Sequence, residues 1–143
     1  MFGSSNKILE IDLDSEEVKT RVLEADLYRT FVGGSSFAAR LFVDYRGYES
    51  KPLQPESPLL VMAGPMVGTN FPGTSRFVVC ARSPLTGIWG ESASGGSFGA
   101  DLKKAGFDGL VVSGKYRKPC YILIDDTEVS VVDAAALWGL DTY

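Results

Sequence analysis

The chain contains no histidine, and only two cysteines among its 143 residues, Cys80 and Cys120. Without histidine it lacks the side chain that most often serves as acid, base or metal ligand near neutral pH. The two cysteines lie far apart in apolar, strand-like runs and form no CxxC pair, so this chain alone is not expected to ligate zinc or an iron–sulfur cluster. Buried thiols in a reducing compartment are the expected state, and nothing in the spacing supports a disulfide. There is also no excess of basic charge. Fourteen Lys and Arg against eighteen Asp and Glu give a net charge of −4, which argues against nucleic acid or anionic membrane as a partner. No apolar run approaches the roughly 20 residues needed to span a bilayer. The opening MFGSSNKILEIDLD has no basic segment ahead of an apolar one, so no secretory leader is visible and a cytoplasmic location is expected.

What is present is an apolar fraction of 45%, which fits a folded domain with a real core. Residues 7–13 (KILEIDL) and 18–23 (VKTRVL) largely alternate apolar and polar around a DSEE break, which predicts a β-hairpin with one wet face. Residues 24–32 read as a short helix ending at Gly33-Gly34, a pair suited to a left-handed cap. Ser35 or Ser36 is placed to cap a second helix over residues 37–45. Pro52, Pro55 and Pro58 mark an ordered surface connection.

Strands are predicted over residues 59–63, 76–81, 88–92, 110–113, 121–124 and 128–132, and a helix over 98–105. Asp125-Asp126 reads as a hairpin turn, and Asp133 as the N-cap of a last helical turn over 134–138. The fold class is α+β, mostly antiparallel sheets with a few short helices. The chain stops at Leu140-Asp141-Thr142-Tyr143 soon after a helix begins, which suggests one domain, 1–143, cut from a longer protein. Sheet edges left open by such a cut favour pairing, so a homo-oligomer is expected.

Chemistry concentrates between Arg76 and Gly114. Arg76 and Arg82, six residues apart on a strand-like run, can share a face, and a guanidinium pairs well with phosphate or a heterocycle edge. Ser94-Gly95-Gly96 precedes a helix containing Gly99. A helix start offers unpaired N–H groups and about half a positive charge, and glycine lets an anion approach them. The order lacks both a P-loop's Gly-Lys-Ser/Thr and a G-x-G-x-x-G start, so a tight strand-to-helix turn with close packing explains it equally well. Lys103 and Lys104 read as a solvated helix face, and Trp89 and Trp138 as core or domain-interface residues.

These residues together resemble the N-terminal domain of the tungsten-containing aldehyde ferredoxin oxidoreductase family. The likeness runs through Gly33-Gly34, Pro55-Glu56-Ser57-Pro58-Leu59, Ala63-Gly64-Pro65, Gly68-Thr69, Arg76 and Ser83-Pro84-Leu85-Thr86-Gly87. It continues through Ser94-Gly95-Gly96, Phe98-Gly99-Ala100-Asp101-Leu102-Lys103, Ala105-Gly106-Phe107-Asp108 and the run from Val111 to Lys115. The resemblance implies a base for a bis-molybdopterin cofactor carrying tungsten or molybdenum, with magnesium bridging the pterin phosphates. Arg76 would contact the pterin and lie toward the iron–sulfur cluster. Ala93, Ser94, Gly95 and Gly96 would present backbone groups to one pterin, the Ala93 carbonyl reaching magnesium. Well-characterised members carry Asn where this chain has Ala93, a departure that fits a subfamily with a different substrate or metal preference, such as one reducing aromatic thioesters.

The resemblance further implies a parent enzyme that oxidises aldehydes to carboxylic acids with ferredoxin as electron acceptor. The 4Fe-4S cysteines and proton-transfer residues would lie in downstream domains, so this fragment alone is expected to be inactive. A reading of a different class, a non-catalytic pterin-binding module, stands beside it.

Overall fold

A computed structural model describes residues 3–141; Thr142 and Tyr143, named above at the chain's end, lie outside them. In chain order the elements are β1 (Lys7–Asp12), β2 (Glu17–Val22), α1 (Ala25–Phe31), α2 (Gly34–Asp44), β3 (Leu59–Ala63), β4 (Phe77–Arg82) and β5 (Trp89–Ser94). There follow α3 (Phe98–Lys104), β6 (Gly109–Ser113), β7 (Cys120–Asp125) and β8 (Glu128–Asp133). Six strands form one sheet in the order β2-β1-β6-β3-β4-β5, and β7-β8 form a separate hairpin. Every pairing is antiparallel except β1 with β6. The α+β reading holds, with largely antiparallel sheets.

The six-stranded sheet is covered on both faces. Ile8, Leu60, Met62, Cys80 and Val111 pack on one face against Tyr28, Phe37, Ala38, Leu41 and Phe42 of α1 and α2. Leu9, Ile11, Val61 and Leu110 pack on the other against Leu102 and Phe107, with Ile122, Ile124, Val129 and Val131 of the hairpin closing over them. This corrects the expected wet face of β1. The strand lies inside the sheet between β2 and β6, so Ile8, Leu9 and Ile11 are all buried, and of the two hairpin strands only the edge strand β2 stays wet.

Two local expectations change. Neither Ser35 nor Ser36 caps α2, which starts one turn earlier behind Gly33. The Ser36 hydroxyl instead donates to the carbonyls of Phe31 and Gly33. The left-handed step after α1 begins at Val32, φ 63°, ahead of the glycine pair, an unusual place for a β-branched residue. The Asp133 cap is present: its Oδ1 accepts from the Ala135 amide at 2.7 Å.

Candidate functional site

The sheet registers bring the chemically interesting residues to one end of the molecule. Ile8, Gly109, Met62, Val78 and Ala93 form a row across β1, β6, β3, β4 and β5. Ala63, Phe77 and Ser94 form the next row outward. Beyond them the chain leaves the sheet at Gly64, Arg76 and Gly95. The segments before β4 and after β5 stay side by side, since a Cβ on Gly95 would lie 3.9 Å from Ser75 Oγ. Arg76, Ala93, Ser94, Gly95 and Gly96 are therefore neighbours on adjacent strand ends, and all five are exposed.

Ser94 lies opposite Phe77 in the ladder and its hydroxyl donates to the Gly95 carbonyl at 3.5 Å, whereas the other donors of the ledge are open. Arg76 makes no hydrogen bond or ion pair among the described residues. The backbone N–H groups of Gly95, Gly96 and Ser97 donate to nothing among the described residues. Gly96 has φ +90° with open space where a Cβ would stand, a conformation that strains other residues and leaves the amides uncovered. Gly99 serves packing instead. A Cβ there would press on Val67 Cγ1 at 3.2 Å and Phe77 Cβ at 3.3 Å, so glycine lets α3 lie close to the sheet. Phe98 then packs on Phe77, the rings tilted by 52° at 4.8 Å between centroids, tying the start of α3 to the residue that follows Arg76. With seven residues, α3 is too short for a large macrodipole, so the free amides themselves carry the anion-binding argument. The site is an open ledge, and the connection from Gly64 to Arg76 adds exposed Met66 and Phe71 to this end.

Arg82 is not part of it. It sits at the opposite end of β4, where Nε donates to the Gly87 carbonyl at 2.7 Å and Nη1 to the carbonyls of Tyr48 (3.1 Å) and Ser50. The guanidinium pins the turn and the proline-rich connection, and sharing a strand face with Arg76 does not bring it to the ledge. Trp89 is half-buried and meets Phe42 edge-on at 5.2 Å, whereas Trp138 is 74% exposed. Cys80 is buried, and burial pushes its thiol up to about 11; Cys120 is half-buried, and both are free. No group of three or more potential metal-ligating His, Cys, Asp or Glu side chains occurs among the described residues. No described helix is long and apolar enough to cross a membrane.

Lys103 overturns an expectation. It is not on a solvated face: its side chain is 12% exposed and its ammonium pairs with the Asp108 carboxylate, whose side chain is 3% exposed. Asp108 also accepts from Ser4 Oγ at 2.6 Å, the Ser5 amide at 3.1 Å and the Tyr28 hydroxyl at 2.8 Å. Burial alone would raise the Asp108 pKa, but the bonds from Lys103, Ser4 and Tyr28 outweigh it and hold the carboxyl below its ordinary value. Burial, with the neighbouring carboxylate, drives the Tyr28 hydroxyl well above its usual range. The sequence signal for this cluster was an aspartate set between Phe107 and Gly109-Leu110, where a charge has no reason to be buried unless it is paired.

Comparison with known proteins agrees with this architecture. The family described as "Aldehyde ferredoxin oxidoreductase, N-terminal domain" matches residues 8–143. The tungsten-containing aldehyde ferredoxin oxidoreductase of Pyrococcus furiosus is 37% identical over 139 residues, 97% of this chain and 23% of the relative. The same-named protein of Thermococcus kodakarensis is 38% identical, with the same coverage of both chains. A solved structure, the active site complex BamBC of benzoyl coenzyme A reductase with 1,5-dienoyl-CoA, superposes with a TM-score of 0.93 at 29% identity. It covers 96% of this chain and 21% of that one. The chain thus spans 23% of the length of these curated relatives.

Proposed function

Because this chain belongs to the aldehyde ferredoxin oxidoreductase family, through its N-terminal domain, we propose that it forms the cofactor-binding base of a tungsten or molybdenum bis-pterin oxidoreductase. The observation that carries the reading is the set of amides at Gly95, Gly96 and Ser97 that donate to nothing among the described residues, on the strand end next to the one that carries Arg76, whose guanidinium likewise has no partner among them. Such a ledge fits a phosphorylated heterocycle. Backbone N–H groups would take phosphate oxygens, the guanidinium would take a ring edge or a second phosphate oxygen, and glycine keeps side chains out of the approach. Ser94, Gly95 and Gly96 would hold one pterin, Arg76 would orient it, and the Ala93 carbonyl would serve as a ligand for magnesium.

When bound, the metal–pterin group would supply the two-electron redox chemistry. This chain's own part is positional: a sheet covered on both faces holds the ledge rigid, and the ledge fixes where the group sits. In the whole parent protein the reaction is aldehyde plus water to carboxylic acid, two protons and two electrons. Ferredoxin, in the cytoplasm, would accept those electrons, and a 4Fe-4S cluster would supply the electron-transfer chemistry. Cys80, buried under α1 and α2, is not placed to ligate that cluster, whose ligands would lie in the remainder of the parent.

The test is metal analysis and turnover of the full-length protein purified without oxygen. Tungsten or molybdenum, with aldehyde-dependent reduction of ferredoxin, is the expected result; absence of both metals overturns the proposal. A second reading within the family rests on Ala93 and on the benzoyl coenzyme A reductase likeness: the parent reduces an aromatic thioester. Metal present with no turnover across an aldehyde panel would favour it.

A further inference from the structure

The geometry points to Lys103 and Asp108 as positioning residues for the ledge at residues 95–97, an inference that rests on the function proposed above. The loop runs directly into α3, so the helix sets the direction in which its amides face. Two anchors hold that helix. Gly99 packs against Phe77 and Val67, and Lys103, one turn later, reaches Asp108. Positions four apart lie on the same helix face, so both anchors press α3 onto the sheet.

Asp108 in turn is fixed to the sheet end on which the ledge sits. Its amide donates to the Lys7 carbonyl at 2.8 Å, and its carbonyl accepts from the Ala63 amide at 2.9 Å. Ala63 heads the row that continues through Phe77 to Ser94. The segment before β1 closes the arrangement from outside: Ser4 and Ser5 donate to the Asp108 carboxylate, and Lys103 Nζ donates to the Gly3 carbonyl at 2.7 Å. The carboxylate therefore joins α1, α3 and the lead into β1, while the main chain of the same residue is bonded to β3. Loss of the Lys103 cation frees the far end of α3 while the Gly99 contact still holds the near end, and the helix with its preceding loop can pivot. Lys104, the next residue, faces solvent and among the described residues pairs only with Asp101, so it is a control on the same helix.

The test uses the full-length protein with Lys103→Met, Lys103→Arg, Ser4→Ala and the control Lys104→Met. Backbone hydrogen exchange and tungsten or molybdenum content per chain are measured on each. In Lys103→Met, exchange of the 95–104 segment should speed up roughly tenfold, while β3 and β6 stay within about twofold of wild type. Metal content should fall by about half or more, as when a residue supporting a ligand is removed. Lys103→Arg should restore much of both, and Lys104→Met should change neither. Should Lys103→Met not fold, Ser4→Ala, which removes one donor and keeps the ion pair, should show the same selective exchange to a smaller degree. The inference is overturned if exchange rises evenly over the whole domain, if it rises at 95–104 with metal content unchanged, or if Lys103→Met matches Lys104→Met. A wild-type protein without tungsten or molybdenum fails differently: it removes the cofactor reading itself, whatever the variants do.

Discussion

Replacing Asp108 by Asn keeps the shape of the side chain and removes its charge. Asp108 is 3% exposed and meets four donors: Lys103 Nζ, Ser4 Oγ, the Ser5 amide and Tyr28 Oη. The amide nitrogen of Asn cannot accept, so at least one of these donors then faces another donor, and Lys103, 12% exposed, loses its counter-charge. Breaking a buried pair from one side costs about 3–5 kcal/mol. In a domain of this size that lowers the thermal midpoint by about 10–20 °C. Denaturant unfolding should show the loss at neutral pH. The pH dependence has a definite sign. The folded-state pKa of Asp108 is depressed, so its contribution is complete above the unfolded carboxylate value of about 3.9 and disappears as pH falls through the lower folded value. The stability gap between wild type and Asp108→Asn should be constant near neutrality and close below about pH 4. A cycle with Lys103→Met should give strongly non-additive losses. A neutral-pH cost under about 1 kcal/mol, or a gap that persists unchanged into acid, would refute the account of the cluster as a paired, charge-bearing core.

Arg76→Ala in the full-length protein should lower bound tungsten or molybdenum while leaving the thermal midpoint within about 2 °C, because the exposed guanidinium has no partner among the described residues; a large midpoint drop would show a structural role. Gly96→Val should reduce metal loading and cost about 1–3 kcal/mol through backbone strain at φ +90°, both read from the same preparations. Arg82→Ala should do the reverse, costing about 1–3 kcal/mol from the stranded Gly87, Tyr48 and Ser50 carbonyls with metal content unchanged. Iodoacetamide at pH 8 should label Cys120 in the native protein but Cys80 only after unfolding, since Cys80 is buried and its thiol is pushed up to about 11; mass spectrometry of the labelled peptides decides it.

Much of the secondary structure was legible because it follows from local pattern. The short apolar run LLVMA became β3 with the expected bounds, the alternating segments around DSEE became β1 and β2, and the Asp133 cap formed where an Asp precedes a helical turn. The α2 cap was misread because serine's preference for an N-cap competes with its ability to donate backward, and Ser36 found the carbonyls of Phe31 and Gly33 within reach. The ledge residues were visible from their glycines and from Arg76. The difference between Arg76 and Arg82 was not, because six residues along a strand place two side chains on one face but at opposite ends of it.

By itself the sequence determined which family this chain belongs to, where its glycine-flanked loop lies and which segments extend or coil. Each of these depends on residues within a few positions of one another, or on a pattern read in order along the chain. Only the tertiary structure decided that β1 is buried on both faces, that Lys103 turns inward and that Asp108 ties together segments up to 104 residues apart. Those outcomes depend on which strands become neighbours and which charges lose their water. Burial is a property of the assembled layers, and no local pattern specifies it.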